Sequence, residues 1–293
     1  MKRRGIIIKY VAAALIIATL LCIGYLYSEK SGMIKHEKEM LSAHFIDVGQ
    51  GSASLIITPD KKTVLIDCGP QSASLTLLSY LNRLGIKRID HLILTHFDKD
   101  HVSGIFELAD HLSSVGTLYI PCYPEDDSFA DSVIEAVEKI SESTVTPSFL
   151  QKADISKELS LTFLSEDKIS ENGGNSDSII CLLKYGELDI LYTGDATLEN
   201  EAALLTLCSP FPDCDVMTAS HHGSKDANSY DFVKAADPEY VIISCGALNK
   251  YGHPSTDALK SFEMVADHIL RTDLDGSIIL YSNGKSISFD TEK

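Results

Sequence analysis

Thr95-His96-Phe97-Asp98-Lys99-Asp100-His101 places four side chains able to bind a metal, His96, Asp98, Asp100 and His101, within six residues. The segment follows an apolar run, Ile89 to Thr95, that reads as a short strand. It precedes Val102 to Leu112, which reads as a helix. Imidazole and carboxylate together suit zinc, manganese or iron. On a loop after a strand, alternate residues can turn to one cation while the neighbouring pair reaches another. Alone, the segment reads equally well as a solvated acidic turn whose aspartates cap the next helix.

Three later segments share this placement at a strand end. Leu191-Tyr192-Thr193-Gly194-Asp195-Ala196 ends a strand in Gly-Asp before a helix. Ala219-Ser220-His221-His222-Gly223-Ser224 carries adjacent histidines, which point in different directions, so one serves as a ligand and the other faces substrate. Tyr251-Gly252-His253-Pro254 adds a further loop histidine. Each segment alone has an ordinary reading: Asp as an N-cap, Gly as a turn residue, paired histidines as a polar loop.

The rest of the chain supplies an alternation of strands and helices. Strands are expected at 44–48, 54–58, 62–67, 89–95, 117–120, 146–150, 159–164, 178–184, 188–192, 215–220, 240–244 and 278–281. Helices are expected at 72–84, with leucines at 75, 78, 81 and 84, and at 102–112, 129–141, 198–207, 229–236 and 256–268. Asn283-Gly284 is a hairpin turn. This order predicts two packed sheets covered by helices. The polar stretch from Glu142 to Ser176 is expected to shape one wall of the site.

Taken together, HFDKDH, TGD, SHHGS and GHP, preceded by IDVGQGSASLI and TVLIDCG, resemble the metallo-β-lactamase superfamily. Within it the chain looks most like the hydrolase domain of the ComEC competence proteins. The resemblance implies an α+β fold, a four-layer αββα sandwich with two metals, zinc or manganese, at one edge. It implies His96 and Asp98 on a first metal, Asp100, His101 and His222 on a second, and Asp195 bridging both. Asp67 would orient ligands from behind. Asp100, His221 and His253 would serve catalysis, with His221 or His253 protonating the leaving group. In two places the chain departs from the superfamily's usual pattern. Asp98 stands where HxHxDH has a second histidine, and Gly173-Gly174-Asn175-Ser176-Asp177-Ser178 replaces a further histidine segment. The first site should therefore be harder, weaker for zinc and more tolerant of manganese.

The substrate implied is a phosphodiester, as a small molecule or polymer, including DNA. The rivals are a lactonase-type carbonyl hydrolase and a non-catalytic cell-surface binding module. A formal net charge of -17, from 42 acidic and 25 basic residues, disfavours non-specific binding to polyanions through a basic patch. Lys225, beside the paired histidines, could steer an anion, although an exposed lysine is more often only solvated.

Lys2, Arg3, Arg4 and Lys9 flank an apolar run of eighteen residues, Tyr10 to Tyr27. As a helix it would rise about 27 Å, close to a hydrocarbon core of roughly 30 Å. The expected layout is a membrane anchor at 1–29, a stalk at 30–41 and a hydrolase domain at 42–293, outside the cytoplasm by the basic flank. A cleaved signal peptide, giving a secreted domain, is the rival reading. Cys208 and Cys214 could close a loop by a disulfide, or the cysteines could be buried thiols.

Overall fold

The computed structural model describes residues 40–165 and 174–293. The expected anchor and the stalk before Met40 lie outside the described residues. Among the described residues no helix is long and apolar enough to cross a membrane.

In chain order the first half runs β1 (Leu41–Phe45), β2 (Ser54–Ile57), β3 (Thr63–Ile66), α1 (Ser74–Arg83), β4 (Arg88–Ile93), α2 (Lys99–Val102), α3 (Ile105–His111), β5 (Ser114–Tyr119), α4 (Ser128–Glu138), β6 (Ser141–Val145), β7 (Lys152–Asp154) and β8 (Leu159–Phe163). The second half runs β9 (Cys181–Tyr185), β10 (Leu188–Tyr192), α5 (Leu198–Leu207), β11 (Val216–Thr218), α6 (Tyr230–Ala236), β12 (Tyr240–Ile243), α7 (Thr256–Glu263), β13 (His268–Arg271), α8 (Thr272–Asp275), β14 (Ile278–Ser282) and β15 (Ile287–Thr291). One sheet has the order β15-β14-β1-β2-β3-β4-β5-β6, the other β13-β12-β11-β10-β9-β8-β7.

The central strands are apolar on both faces because both faces are covered. Along β1, Leu41, Ala43 and Phe45 enter the core between the sheets, while His44 turns the other way and meets Tyr80 of α1. In β3, Val64 and Ile66 face the second sheet and Leu65 faces the helices. The same alternation holds opposite: Ile190 points into the inter-sheet core, and Leu191 packs with Leu204, Phe232 and Phe262 from α5, α6 and α7. Three apolar layers thus separate four layers of secondary structure, the αββα sandwich. Each fully buried large side chain contributes roughly 1.5–3 kcal/mol.

Several elements differ from expectation. The buried stripe of α1 is Leu77, Tyr80 and Leu81, so of the leucines at the expected spacing Leu81 is buried, whereas Leu75 and Leu84 are exposed. The helix expected at 102–112 is broken into α2 and α3 at Ser103-Gly104, where the Gly104 amide donates to the Gly69 carbonyl instead of back into the helix. The strand expected at 146–150 lies earlier, as β6, whose mostly exposed Ser-Glu-Ser-Thr-Val pairs as the edge strand beside β5. Pro147, lacking an N–H, ends that pairing. The helix expected to reach 268 stops at Glu263, and His268–Arg271 instead extends as β13 along the open edge of β12. Pairing across the sheet overrides local preference there. Cys208 and Cys214 are separate thiols, like the other described cysteines.

His44 carries a stability prediction. Its Nδ1 lies 2.9 Å from Tyr80 Oη and its Nε2 2.9 Å from Ser42 Oγ. Burial, reinforced by the Arg83 charge, pushes its pKa down to about 4. In the unfolded chain the ring titrates near 6.5. Below about pH 6.5 the unfolded state therefore binds the proton first, and stability falls until the folded ring titrates near 4. We expect this to remove up to about 3 kcal/mol across that window. His44→Gln should flatten that part of the slope. Denaturant titrations of both proteins at pH 7, 5.5 and 4 measure it, and parallel slopes would contradict it.

Candidate metal centre

The loops leaving the carboxyl ends of β3, β4, β10, β11 and β12 supply the site residues. Within each sheet these strands are parallel neighbours, β3 with β4 and β10 with β11 and β12. Crevices beyond such strand ends are where open α/β sheets hold ligands.

Close backbone contacts fix the loop after β4. Cys68 N–H donates to the His101 carbonyl at 2.6 Å, Gly104 N–H to the Gly69 carbonyl at 2.9 Å, and Ser52 N–H to the Asp100 carbonyl at 3.2 Å. A Cβ on Gly51 would stand 2.3 Å from the Asp100 carbonyl oxygen, and one on Gly104 would stand 2.0 Å from that of Cys68. These approaches give Gly51 of the early VGQG segment, and Gly104 after the ligand loop, their physical reason.

Asp67, buried at φ 59°, holds two imidazoles. His101 Nδ1 donates to its Oδ2 at 2.7 Å. Thr95 donates to it through its amide (2.8 Å) and its hydroxyl (2.8 Å to Oδ2), and the same hydroxyl lies 3.1 Å from His96 Nδ1. His222 Nδ1 donates to the Ser244 carbonyl at 2.9 Å. With Nδ1 engaged, each ring presents Nε2 to a common centre. Second-partner hydrogen bonds of this kind set the tautomer of metal-binding histidines.

At that centre His101 Nε2 lies 3.0 Å from Asp195 Oδ1. His96 Nε2 and His222 Nε2 each lie 3.7 Å from Asp195 Oδ2, and His222 Nε2 lies 3.3 Å from Asp100 Oδ2. Two sets, His96/His101/Asp195 and Asp100/His101/His222, each bring three donor atoms within 4.8 Å of one another. Asp98 is more distant: its carboxylate is 54% exposed and 4.0 Å from His96 Nε2. His221 Nε2 stands 3.8 Å from Asp195 Oδ2 with its side chain partly exposed. The His221 ring meets His253 edge to face at 5.5 Å. All eight residues predicted for the site are therefore gathered at one place, with Asp98 at its margin.

The donor set fits a divalent cation. His96 Nε2 and Asp195 Oδ1 are buried without hydrogen-bond partners. His101 Nε2 and His222 Nε2 lie 3.2 Å apart, and with both Nδ1 atoms protonated their lone pairs oppose each other unless a cation lies between them. The buried charges of the cluster also compensate one another. Burial disfavours the Asp195 carboxylate, yet His101 and His222 hold its pKa well below the usual range. Burial likewise opposes charge on His101, but Asp195 and Asp67 hold it well above an ordinary imidazole. Burial and the charge of His101 push His96 down to about 4. Burial, with Asp100 and Asp195 nearby, raises Asp98.

The paired histidines occupy a strained turn, with His221 at φ 49° and His222 at φ 56°. Such conformations cost on the order of 1–3 kcal/mol each and persist where surroundings enforce them. Here Asn228 enforces them: its Oδ1 accepts from Ser220 N–H at 2.8 Å, and its Nδ2 donates to the Ser220 and Ser224 carbonyls. The Asn228 and Ser229 amides in turn donate to the buried Glu201 carboxylate of α5. Sequence reading missed Asn228, Glu201 and Thr95. A buried glutamate inside a helical apolar pattern is the one signal that could have exposed this network. Asn175, in the segment replacing the usual histidine, sets Nδ2 3.4 Å from both His221 ring nitrogens. Asn175 is thus where the 142–176 stretch reaches the site, and just beyond it Ser178 Oγ accepts from Asp195 N–H at 3.2 Å. Lys225 is exposed.

The sequence profile of the metallo-beta-lactamase superfamily matches residues 46–247. The chain is 30% identical over 254 residues to ComE operon protein 3 of Bacillus subtilis (strain 168), covering 80% of this chain and 32% of that one. It is 29% identical over 236 residues to competence protein ComA of Neisseria gonorrhoeae, covering 79% of this chain and 31% of that one. It thus spans about a third of the length of these relatives. Among solved structures, the metallo-beta-lactamase fold protein YhfI of Bacillus subtilis superposes with TM-score 0.53 at 14% identity, over 86% of this chain and all of that one. CmlA, a diiron beta-hydroxylase from Streptomyces venezuelae, superposes with TM-score 0.56 at 13% identity, over 80% of this chain and 53% of that one. At such identities these likenesses concern the fold alone. Profile, relatives and the convergence of five strand-end loops on one cluster agree that the chain belongs to the metallo-β-lactamase superfamily.

Proposed function

We propose that the chain is a metal-dependent phosphodiesterase displayed on the outer side of the cell membrane. The observation that carries the chemistry is the convergence of three buried imidazole Nε2 atoms on the carboxylates of Asp195 and Asp100. His96, His101, His222, Asp100 and Asp195 would hold one or two divalent cations, zinc or manganese, with Asp98 joining from the exposed side. The chemistry such cations supply is Lewis acidity, with the pKa of a bound water lowered to about 7 and charge on phosphoryl oxygens offset. The chain's own residues then orient the substrate and move protons. His221 and His253 line the open side, and either ring can carry a proton to the leaving oxygen. Burial, then the neighbouring His222 and His221, lower the His253 pKa. Exchange of an imidazole for Asp98 favours a hard cation, as suits phosphate oxygens. The resemblance to proteins named for competence points to nucleic acid as the polymer.

Hydrolysis of a phosphodiester should vanish in chelator and return with manganese or zinc. Asp195→Ala should lower the metal-restored rate by more than about 100-fold, with the circular dichroism of the parent retained. A folded, metal-loaded parent that cuts no phosphodiester would overturn the reading.

The location rests on the apolar run Tyr10 to Tyr27 and its basic flank. Protease added to intact cells, stripped of any outer barrier, should digest the domain. Protection until the cells are lysed would contradict the orientation.

A further inference from the structure

The loop bearing His253 runs out to solvent through Gly246-Ala247-Leu248-Asn249-Lys250-Tyr251. Asn249 clamps it from inside. Its Nδ2 donates to the Gly246 and His253 carbonyls, and its Oδ1 accepts from the Tyr251 and His253 amides. The side chains at the tip therefore sit on a fixed frame. That frame displays apolar surface: Leu248 is fully exposed at φ 53°, and Tyr251 is 57% exposed. An exposed leucine in the left-handed region gains no burial and costs backbone energy, a combination found at functional loops.

The Tyr251 ring lies against His253, centroids 5.7 Å apart and planes 24° from parallel. Lys250 Nζ lies over the same ring, 4.9 Å from its centre, and its flexible side chain swings aside when a ligand stacks there. His253 meets His221 at 5.5 Å, and His221 reaches Asp195 at 3.8 Å. A run of flat rings thus leads from solvent to the metal cluster, with a cation at its outer end.

From this run we infer that Tyr251 is a stacking platform for a nucleobase and Lys250 the phosphate contact beside it, so that the site prefers a single nucleic-acid strand. The inference rests on the phosphodiesterase reading above and narrows it. Three considerations favour this ligand. A chain of net charge -17 cannot hold a polyanion by its overall field, whereas stacking on a ring requires no net charge. Every base offers a face to an aromatic ring, which gives binding without a sequence requirement. A duplex hides those faces, so only an unpaired strand presents them.

The test compares the full chain with a single-stranded oligothymidylate and with a strand of equal length made wholly of abasic residues. Binding is read by fluorescence anisotropy in chelator, so that nothing is cut, and turnover is read separately with manganese. The parent should bind the base-bearing strand more tightly. Tyr251→Ala should weaken that binding about five- to hundredfold and leave the abasic strand unchanged, while Tyr251→Phe keeps the preference. Lys250→Ala should weaken both strands alike and reduce the salt dependence. A ring that only props His253 would slow turnover of both strands equally in Tyr251→Ala and alter neither affinity, and that result overturns the platform. Equal affinity of the parent for both strands overturns it too. Base preference without turnover supports the platform and removes the phosphodiesterase reading. Turnover without base preference does the reverse.

Discussion

The buried carboxylate of Asp67 is the constraint on which the rest of the centre depends. A carboxylate removed from water needs hydrogen bonds to replace its hydration. Asp67 receives them from the Thr95 amide, the Thr95 hydroxyl and His101 Nδ1. Those same bonds fix which nitrogen of His101 is free, and through Thr95 they bear on His96. A group that lies behind the cluster, and contributes no donor atom to it, thereby decides how two of its imidazoles face.

The second sheet solves the same problem by another route. His222 is fixed by a backbone carbonyl, that of Ser244, and its strained turn is enforced by Asn228 and Glu201. Three non-glycine residues at the centre, Asp67, His221 and His222, hold positive φ. The sandwich sustains this strain because its two parallel strand groups are anchored by apolar layers on both faces. Stability in the layers is what permits an unfavourable local geometry at their edge.

Much of this was legible in the sequence because the ligands sit in short segments at strand ends, where a strand's apolar run and its polar terminus are both visible. That only one of His221 and His222 serves the centre followed from local geometry, since adjacent side chains diverge, whereas the assignment to His222 came from the family resemblance. What could not be read depends on partners distant in the chain. The Ser244 carbonyl has no side-chain signature. Asn228 looks like an ordinary turn residue until Glu201, 27 residues earlier, is brought beneath it. β6 and β13 carry weak patterns because their reason to exist is the open edge of a neighbouring strand. The leucine spacing of α1 located the helix but only part of its buried face, because Tyr80, turned toward His44, shares that face with Leu77 and Leu81.

The most direct measurement is the affinity of the Asp67→Asn protein for manganese and zinc by titration calorimetry, beside the parent. Asparagine keeps the shape of the side chain but cannot accept from His101 and Thr95 as a carboxylate does. If Asp67 orients the imidazoles, affinity should fall by about 10- to 100-fold while the fold persists. Unchanged affinity in a folded variant would contradict the account and place the control of the centre elsewhere.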